Sequence, residues 1–116
     1  MKLDMNTLQE AGAFAGPPVE KEIVWQQGDT EMKVTAYVRK LSYRSAVSDI
    51  KLFGTSGDMI AGRIAACICD EKGAPIFTVA DVTGEADPAR GPLNHNLTIA
   101  LLNAIGEVNS LGKPTA

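Results

Sequence analysis

Residues 31–38 read EMKVTAYV, and the alternation in this stretch decides the fold. Met32, Val34, Ala36 and Val38 fall on one side of an extended chain, while Lys33, Thr35, Tyr37 and Arg39 fall on the other. A period of two residues belongs to a strand with one buried face and one wet face. Upstream, KEIVWQ (21–26) has the same character, with Ile23 and Trp25 on one face and Val24 on the other. Between the two, QQGDT supplies a turn in which Gly28-Asp29 accepts a tight geometry. The two segments are therefore expected to pair as an antiparallel hairpin.

Working outward, residues 1–18 read as an amino-terminal arm. It holds a short helix over Asn6 to Phe14, with Met5, Leu8, Ala11 and Phe14 on one side, weakened by Gly12 and ended by Gly16-Pro17-Pro18. Beyond the hairpin the period changes in SYRSAVSDIKLFG (42–54), where Tyr43, Ala46, Val47, Ile50 and Phe53 recur at helical spacing behind Ser42 as an N-cap. MIAGRIAACICD (59–70) reads as a buried strand whose Gly62, Ala65 and Ala66 admit a close neighbour. DEKGAP reverses the chain, and IFTVADV resumes a strand through Ile76, Phe77 and Val79, so 59–69 and 75–80 are expected as a second hairpin.

The Gly/Pro-rich, charged TGEADPARGP (83–92) has no periodicity and reads as a flexible loop. Asn94 or Asn96 then caps a helix whose Leu97, Leu101, Leu102, Ile105 and Val108 form one apolar stripe, with Glu107 on the wet side. Burial of that stripe is worth ~5–8 kcal/mol before ordering entropy is subtracted. Residues 110–116 form a short carboxy-terminal tail. The expected architecture is α+β in a single domain over 1–116, with a small antiparallel sheet of three or four strands in two hairpins and two or three helices packed on it.

Composition narrows the function. The chain has 116 residues, 45% of them hydrophobic, and a formal charge of −3, so its overall charge offers no attraction to nucleic acid or an anionic membrane. No apolar run approaches the ~20 residues of a membrane span, and MKLDMNTLQE lacks the apolar stretch of a signal peptide, so the chain is expected to stay where it is made. Cys67 and Cys69 are expected as buried thiols, and the lone histidine, His95, as a capping or solvated residue. Ser42, Ser45 and Ser48 sit in no nucleophile elbow, GTSGD lacks the rest of a phosphate loop, and Asp81, Glu85 and Asp87 lack calcium-loop spacing. Lys33, Arg39, Lys40 and Arg44 read as a solvated face with acidic neighbours. No enzyme, cofactor, metal, nucleic-acid or membrane role follows, which leaves protein partners. Two surfaces are candidates: the polar hairpin face at Tyr37 and Arg39, and the last helix at Leu97, Leu101, Ile105 and Val108.

The ordered segments GAFAGPPVEKEIVWQQGD, MKVTAYVRKLSYRSAVSD, RIAACICDEKGAPIFTVADV and LNxxLTxALLNAIGEVN resemble the tail assembly chaperones of lambda-like long-tailed bacteriophages, over residues 11 to 111. The resemblance implies a small protein of the host cytoplasm that coats the tape-measure protein during tube assembly and is absent from the mature virion. It further implies a longer isoform, made by −1 ribosomal frameshifting, that recruits the tail-tube protein; Leu111-Gly112-Lys113 is compatible with a slippery G-GGA-AAG. Homo-oligomerisation is left open. The alternative from a different class is a structural minor tail or head–tail joining protein retained in the virion.

Overall fold

The computed structural model describes residues 2–13, 16–42 and 58–109. Its frame is the expected hairpin: β1 (Val19–Gln27) pairs antiparallel with β2 (Thr30–Val38) around the two-residue turn Gly28-Asp29. The register sets Val19 opposite Val38, Ile23 opposite Val34 and Trp25 opposite Met32, so the apolar sets of both strands share one face. A two-residue turn makes Gln27 and Thr30 a hydrogen-bonded pair, which leaves the backbone groups of Glu20, Glu22, Val24 and Gln26 on the open edge of β1. A third strand, β3 (Ile68–Cys69), pairs antiparallel with Tyr37 and Val38 and completes a sheet of order β1-β2-β3. The fold is α+β with a three-stranded antiparallel sheet, as the alternation implies.

Two segments expected as strands are not. Met59–Cys67 is a helix, α2, and only Ile68 and Cys69 of the expected 59–69 strand are extended. Asp58 caps it by accepting from Ala61 N at 3.0 Å, and Ala61, Ile64 and Cys67 recur every three residues on its buried side. Three alanines in the run favour helix, and Ala61 and Gly62 bring the backbone close to its neighbours. The expected strand at 75–80 does not form either: Pro75 makes a single bridge, residues 76–78 are irregular, and a short helix, α3 (Val79–Thr83), takes its last two positions. Thr78 Oγ1 accepts from Asp81 N at 3.1 Å while Asp81 Oδ2 accepts from Thr78 N at 2.9 Å, a reciprocal capping box. The reversal between the two segments does form. Asp70 Oδ1 accepts from Lys72 N and Ala74 N, and its pairing narrows to one antiparallel bridge between Cys69 and Pro75. The helix expected over 42–54, Phe14 and the 110–116 tail lie outside the described residues.

The arm helix, α1, spans Met5–Ala11 and is capped at both ends. Asp4 Oδ1 accepts from Thr7 N at 2.7 Å; Gly12, at φ 73°, donates to Gln9 O, and Ala13 donates to Leu8 O. That pair of bonds is a Schellman motif, which needs a residue at ease in the left-handed region. The last helix, α4, spans His95–Asn109, with Asn94 Oδ1 accepting from Leu97 N at 3.0 Å. It packs chiefly over β1 and only lightly on β2. Lys21 Nζ meets Glu107 Oε2 at 2.7 Å, Asn96 Nδ2 donates to the edge carbonyl of Gln26 at 2.8 Å, and Leu41 N donates to Asn109 Oδ1 at 2.6 Å. The core lies between sheet and helices, centred on Ile23, Val38, Ile64, Cys67, Leu101 and Ile105. The 83–92 loop carries its own bonds: Leu93 N to Val82 O, Arg90 to Asp81 at 2.8 Å, and Arg90 N and Gly91 N to Asp87 O.

Candidate partner-binding groove

Of the two surfaces read from the sequence, the helix stripe is largely spent inside the protein. Leu101 and Ile105 are core residues at 3% and 1% exposure, and Leu97 and Val108 are half-buried against them. Their spacing follows the helical period, and the face they form closes the monomer over β1. Only the amino-terminal part, Leu97 and one side of Leu101, also borders open space.

Tyr37 and Arg39 are both held against the segment that follows α2. Tyr37 is half-buried, opposite Glu20 and beside Cys69 in the sheet. Desolvation, then the charges of Glu20 and Glu71, raise its hydroxyl above the usual tyrosine value. Arg39 donates its backbone N–H to Cys67 O at 2.7 Å, and its guanidinium donates to the carbonyl of Gly73. This arginine fastens the Asp70–Ala74 turn to the end of β2. The Cys69 thiol donates to Tyr37 O at 3.5 Å; burial raises its pKa, partly offset by the charge of Arg39. Both cysteines are buried and outside any disulfide, one at the end of α2 and the other in β3. The outer hairpin face holds a shallow polar depression among Glu20, Glu22, Lys33 and Thr35. Among the described residues, no group of three or more histidines, cysteines or carboxylates is placed to hold a metal ion, and no helix is long and apolar enough to cross a membrane.

The position of α4 creates the feature that sequence reasoning missed. Because α4 sits over β1, the inner face of β2 is left as the floor of a groove. Val34, Ala36 and Ile68 form that floor, Leu97 and Leu101 one wall, Ile76 and Phe77 the other, and Trp25 closes an end. The opening measures about 180 Å³, and no charged residue lines it. Val34 is 43% exposed and Ile76 54%, so the groove continues onto the surface. The Phe77 wall is set by local sequence. Phe77 precedes the Thr78 cap and Val82 stands four residues into α3, the two positions that pair in a hydrophobic staple. The phrase FTVADV, read as capping box plus staple, would have shown that Phe77 sits at a helix entrance.

Together, a small half-covered antiparallel sheet, the helices packed on it and an uncharged groove define a small domain of the α+β class. The family model described as "Phage tail assembly chaperone, TAC" matches residues 6–109, and the chain belongs to that family. No curated protein and no solved structure matches it.

Proposed function

We propose that the chain binds the tape-measure protein while the tail tube is built, keeping its apolar segments apart until tube subunits surround them. The observation that carries this reading is the groove over β2. It is lined without charge, opens to solvent at Val34 and Ile76, and has room for one or two large apolar side chains. A long helical client exposes such side chains periodically, and a site of this size covers a few at a time, so binding is reversible. Strands stand ~4.8 Å apart and packed helices 8–10 Å apart, so a client helix beside α4 would lie over β2 and β3.

The proposal extends to a frameshifted isoform whose added segment recruits tail-tube protein, to action in the host cytoplasm, and to absence from the mature virion. The codons at Leu111-Gly112-Lys113, the reading frame that overlaps them, and mass spectrometry of purified particles test these three points. For the central point, the chain is co-expressed with the tape-measure protein of the same phage. The wild type is expected to keep that protein soluble and to co-purify with it, whereas Val34→Glu or Ile76→Glu lowers recovery of the complex ~10-fold or more. Both side chains are substantially exposed, so the variants fold. Equal recovery with wild type and variants removes the groove from the reading, and no complex with the wild type removes the reading itself.

A further inference from the structure

We infer that the edge of β2 beyond β3 accepts an extended segment of a partner protein as a fourth strand, with the inward side chains of that segment seated in the groove. The inference rests on the groove as a binding site and adds to it the conformation and the side-chain pattern of a segment that it takes. Its starting point is the shortness of β3. In the pairing of β1 with β2, Thr30, Met32, Val34 and Ala36 turn their backbone groups toward β1, so those of Glu31, Lys33, Thr35, Tyr37 and Arg39 point the other way. The bond from Arg39 N to Cys67 O at 2.7 Å and the pairing of Tyr37 with Cys69 have that phase. The strand stops at Cys69, and the turn after it carries Gly73 back against Arg39 and Pro18, away from residues 31–35. Glu31, Lys33 and Thr35 are exposed, and among the described residues their backbone groups have no partner on that side.

Each of those three residues offers one donor and one acceptor at strand spacing, a row that an extended chain matches and a helix, with its own backbone already paired, does not. Side chains then select the sequence of that chain. Val34 is 43% exposed on the inner face, while Ile76 and Phe77 follow the Cys69–Pro75 bridge on the far side of β3 and form the opposite wall. The groove therefore spans the lane that a strand in line with β3 takes. Thr35 lines it although its side chain stands on the outer face, which brings the opening to the backbone of this edge. The side chains of the added strand beside Val34 and Met32 are accordingly apolar. On the outer face, Glu31 and Lys33 make no ion pair among the described residues, and cross-strand neighbours of opposite charge stabilise a sheet. Running antiparallel, as both strand pairs of this sheet do, the segment reads polar, apolar, acidic, apolar, basic, opposite Thr35, Val34, Lys33, Met32 and Glu31 in turn. A helix laid over the groove and a strand added at its edge both need the space at Val34, so they exclude each other.

The test is an NMR titration of the full chain with a capped peptide of threonine, isoleucine, glutamate, valine and lysine, up to ~5 mM because so short a ladder binds weakly. Saturable binding is expected, with amide exchange slowed at Glu31, Lys33 and Thr35 and unchanged at Met32 and Val34, whose N–H groups already face β1. Methylating the peptide's glutamate nitrogen, which faces the edge, should weaken binding at least ~5-fold, whereas methylating its valine nitrogen, which faces away, should change it less than ~2-fold. Lys33 is exposed, so Lys33→Glu folds; it should weaken this peptide ~2-fold or more and favour one carrying lysine in place of the glutamate by a similar factor. Absence of binding, indifference to which nitrogen is methylated, or protection that appears at Glu20 and Glu22 on the β1 edge would each overturn the inference. So would protection of Glu31, Lys33 and Thr35 in the protein alone that is lost on dilution, since a second copy would then hold the edge. If the peptide fails while Val34→Glu still abolishes client recovery, the added strand is wrong and the proposed function stands. If the peptide binds as described and no client complex forms, the added strand stands and the proposed function is wrong.

Discussion

Two glycines separated by 22 positions should respond to the same substitution with opposite signs. Gly84 closes α3 at φ 93°, and a Cβ there would lie 2.6 Å from Pro92 N and 2.8 Å from Gly91 C. Those are backbone atoms, so the 84–92 loop must move by most of an ångström to admit alanine. The left-handed conformation costs a residue with a Cβ ~1–2 kcal/mol. Displacing Pro92 also strains the adjacent hydrogen bond from Leu93 N to Val82 O, worth ~1 kcal/mol. Gly84→Ala is thus expected to destabilise the protein by ~2–4 kcal/mol, lowering the melting temperature by ~10–15 °C for a chain of this size. Gly106 lies inside α4 with nothing within 4 Å of its built Cβ, so Gly106→Ala should stabilise by ~0.5–1 kcal/mol through helix propensity and a less flexible unfolded chain. Thermal and urea unfolding followed by circular dichroism measure both. If Gly84→Ala melts within about 2 °C of the wild type, the close approach of the loop to α3 is refuted.

Three further outcomes follow from the packing and capping. Ile64→Ala, at a fully buried position in α2, should cost ~2–5 kcal/mol by urea unfolding, whereas an isolated exposed change such as Ile60→Ala should cost less than ~1 kcal/mol. Thr78→Ala removes the cap of α3 and should cost ~1 kcal/mol, with faster amide exchange localised to residues 79–83. Asp81 is held down to about 2 by the backbone N–H of Thr78 and by Arg90, so the native state binds fewer protons there than the unfolded chain. Its contribution is complete above the ordinary carboxylate value of 3.8 and is lost as pH falls through about 2. Melting curves of Asp81→Asn should therefore approach those of the wild type as pH drops from 5 to 2 (about three units) rather than run parallel to them.

The legible parts of the fold were those where polar residues mark the phase of the apolar ones. EMKVTAYV alternates without exception, and Asn94 stands directly before an amphipathic stripe, so both elements could be read from neighbours alone. MIAGRIAACIC offers one charged residue, Arg63, in eleven, and an apolar run fits the period of a strand as well as that of a helix. Composition was the better guide there, because Ala61, Ala65 and Ala66 favour helix more than the interspersed isoleucines favour strand. In IFTVADV the β-like residues conceal a Thr-to-Asp capping box that outweighs them. For the site, Leu97 and Leu101 were visible as an apolar face, but which part of it stays open depends on α4 settling over β1. The second wall depends on Phe77 being brought across from another segment, a long-range fact that no local pattern records.

The placement of α4 joins these observations. A sheet of three strands has two vulnerable features, an open edge and an uncovered face, and one helix of this length cannot hide both. Here α4 is drawn toward the edge. Lys21 points inward from β1 to Glu107, and Asn96 occupies the Gln26 carbonyl, so a free backbone row carries charge and a side-chain partner where another strand would add. Pairing along an edge as long as that of β1 is non-selective and propagates, which would defeat the client-holding role proposed above. The uncovered face is different, because its capacity is fixed at about 180 Å³ and bounded by walls. It takes a limited set of apolar side chains, so what binds there can leave again. Guarding that edge while leaving the groove open is therefore the arrangement that the proposed function calls for, since apolar segments could then be held without consuming the domain.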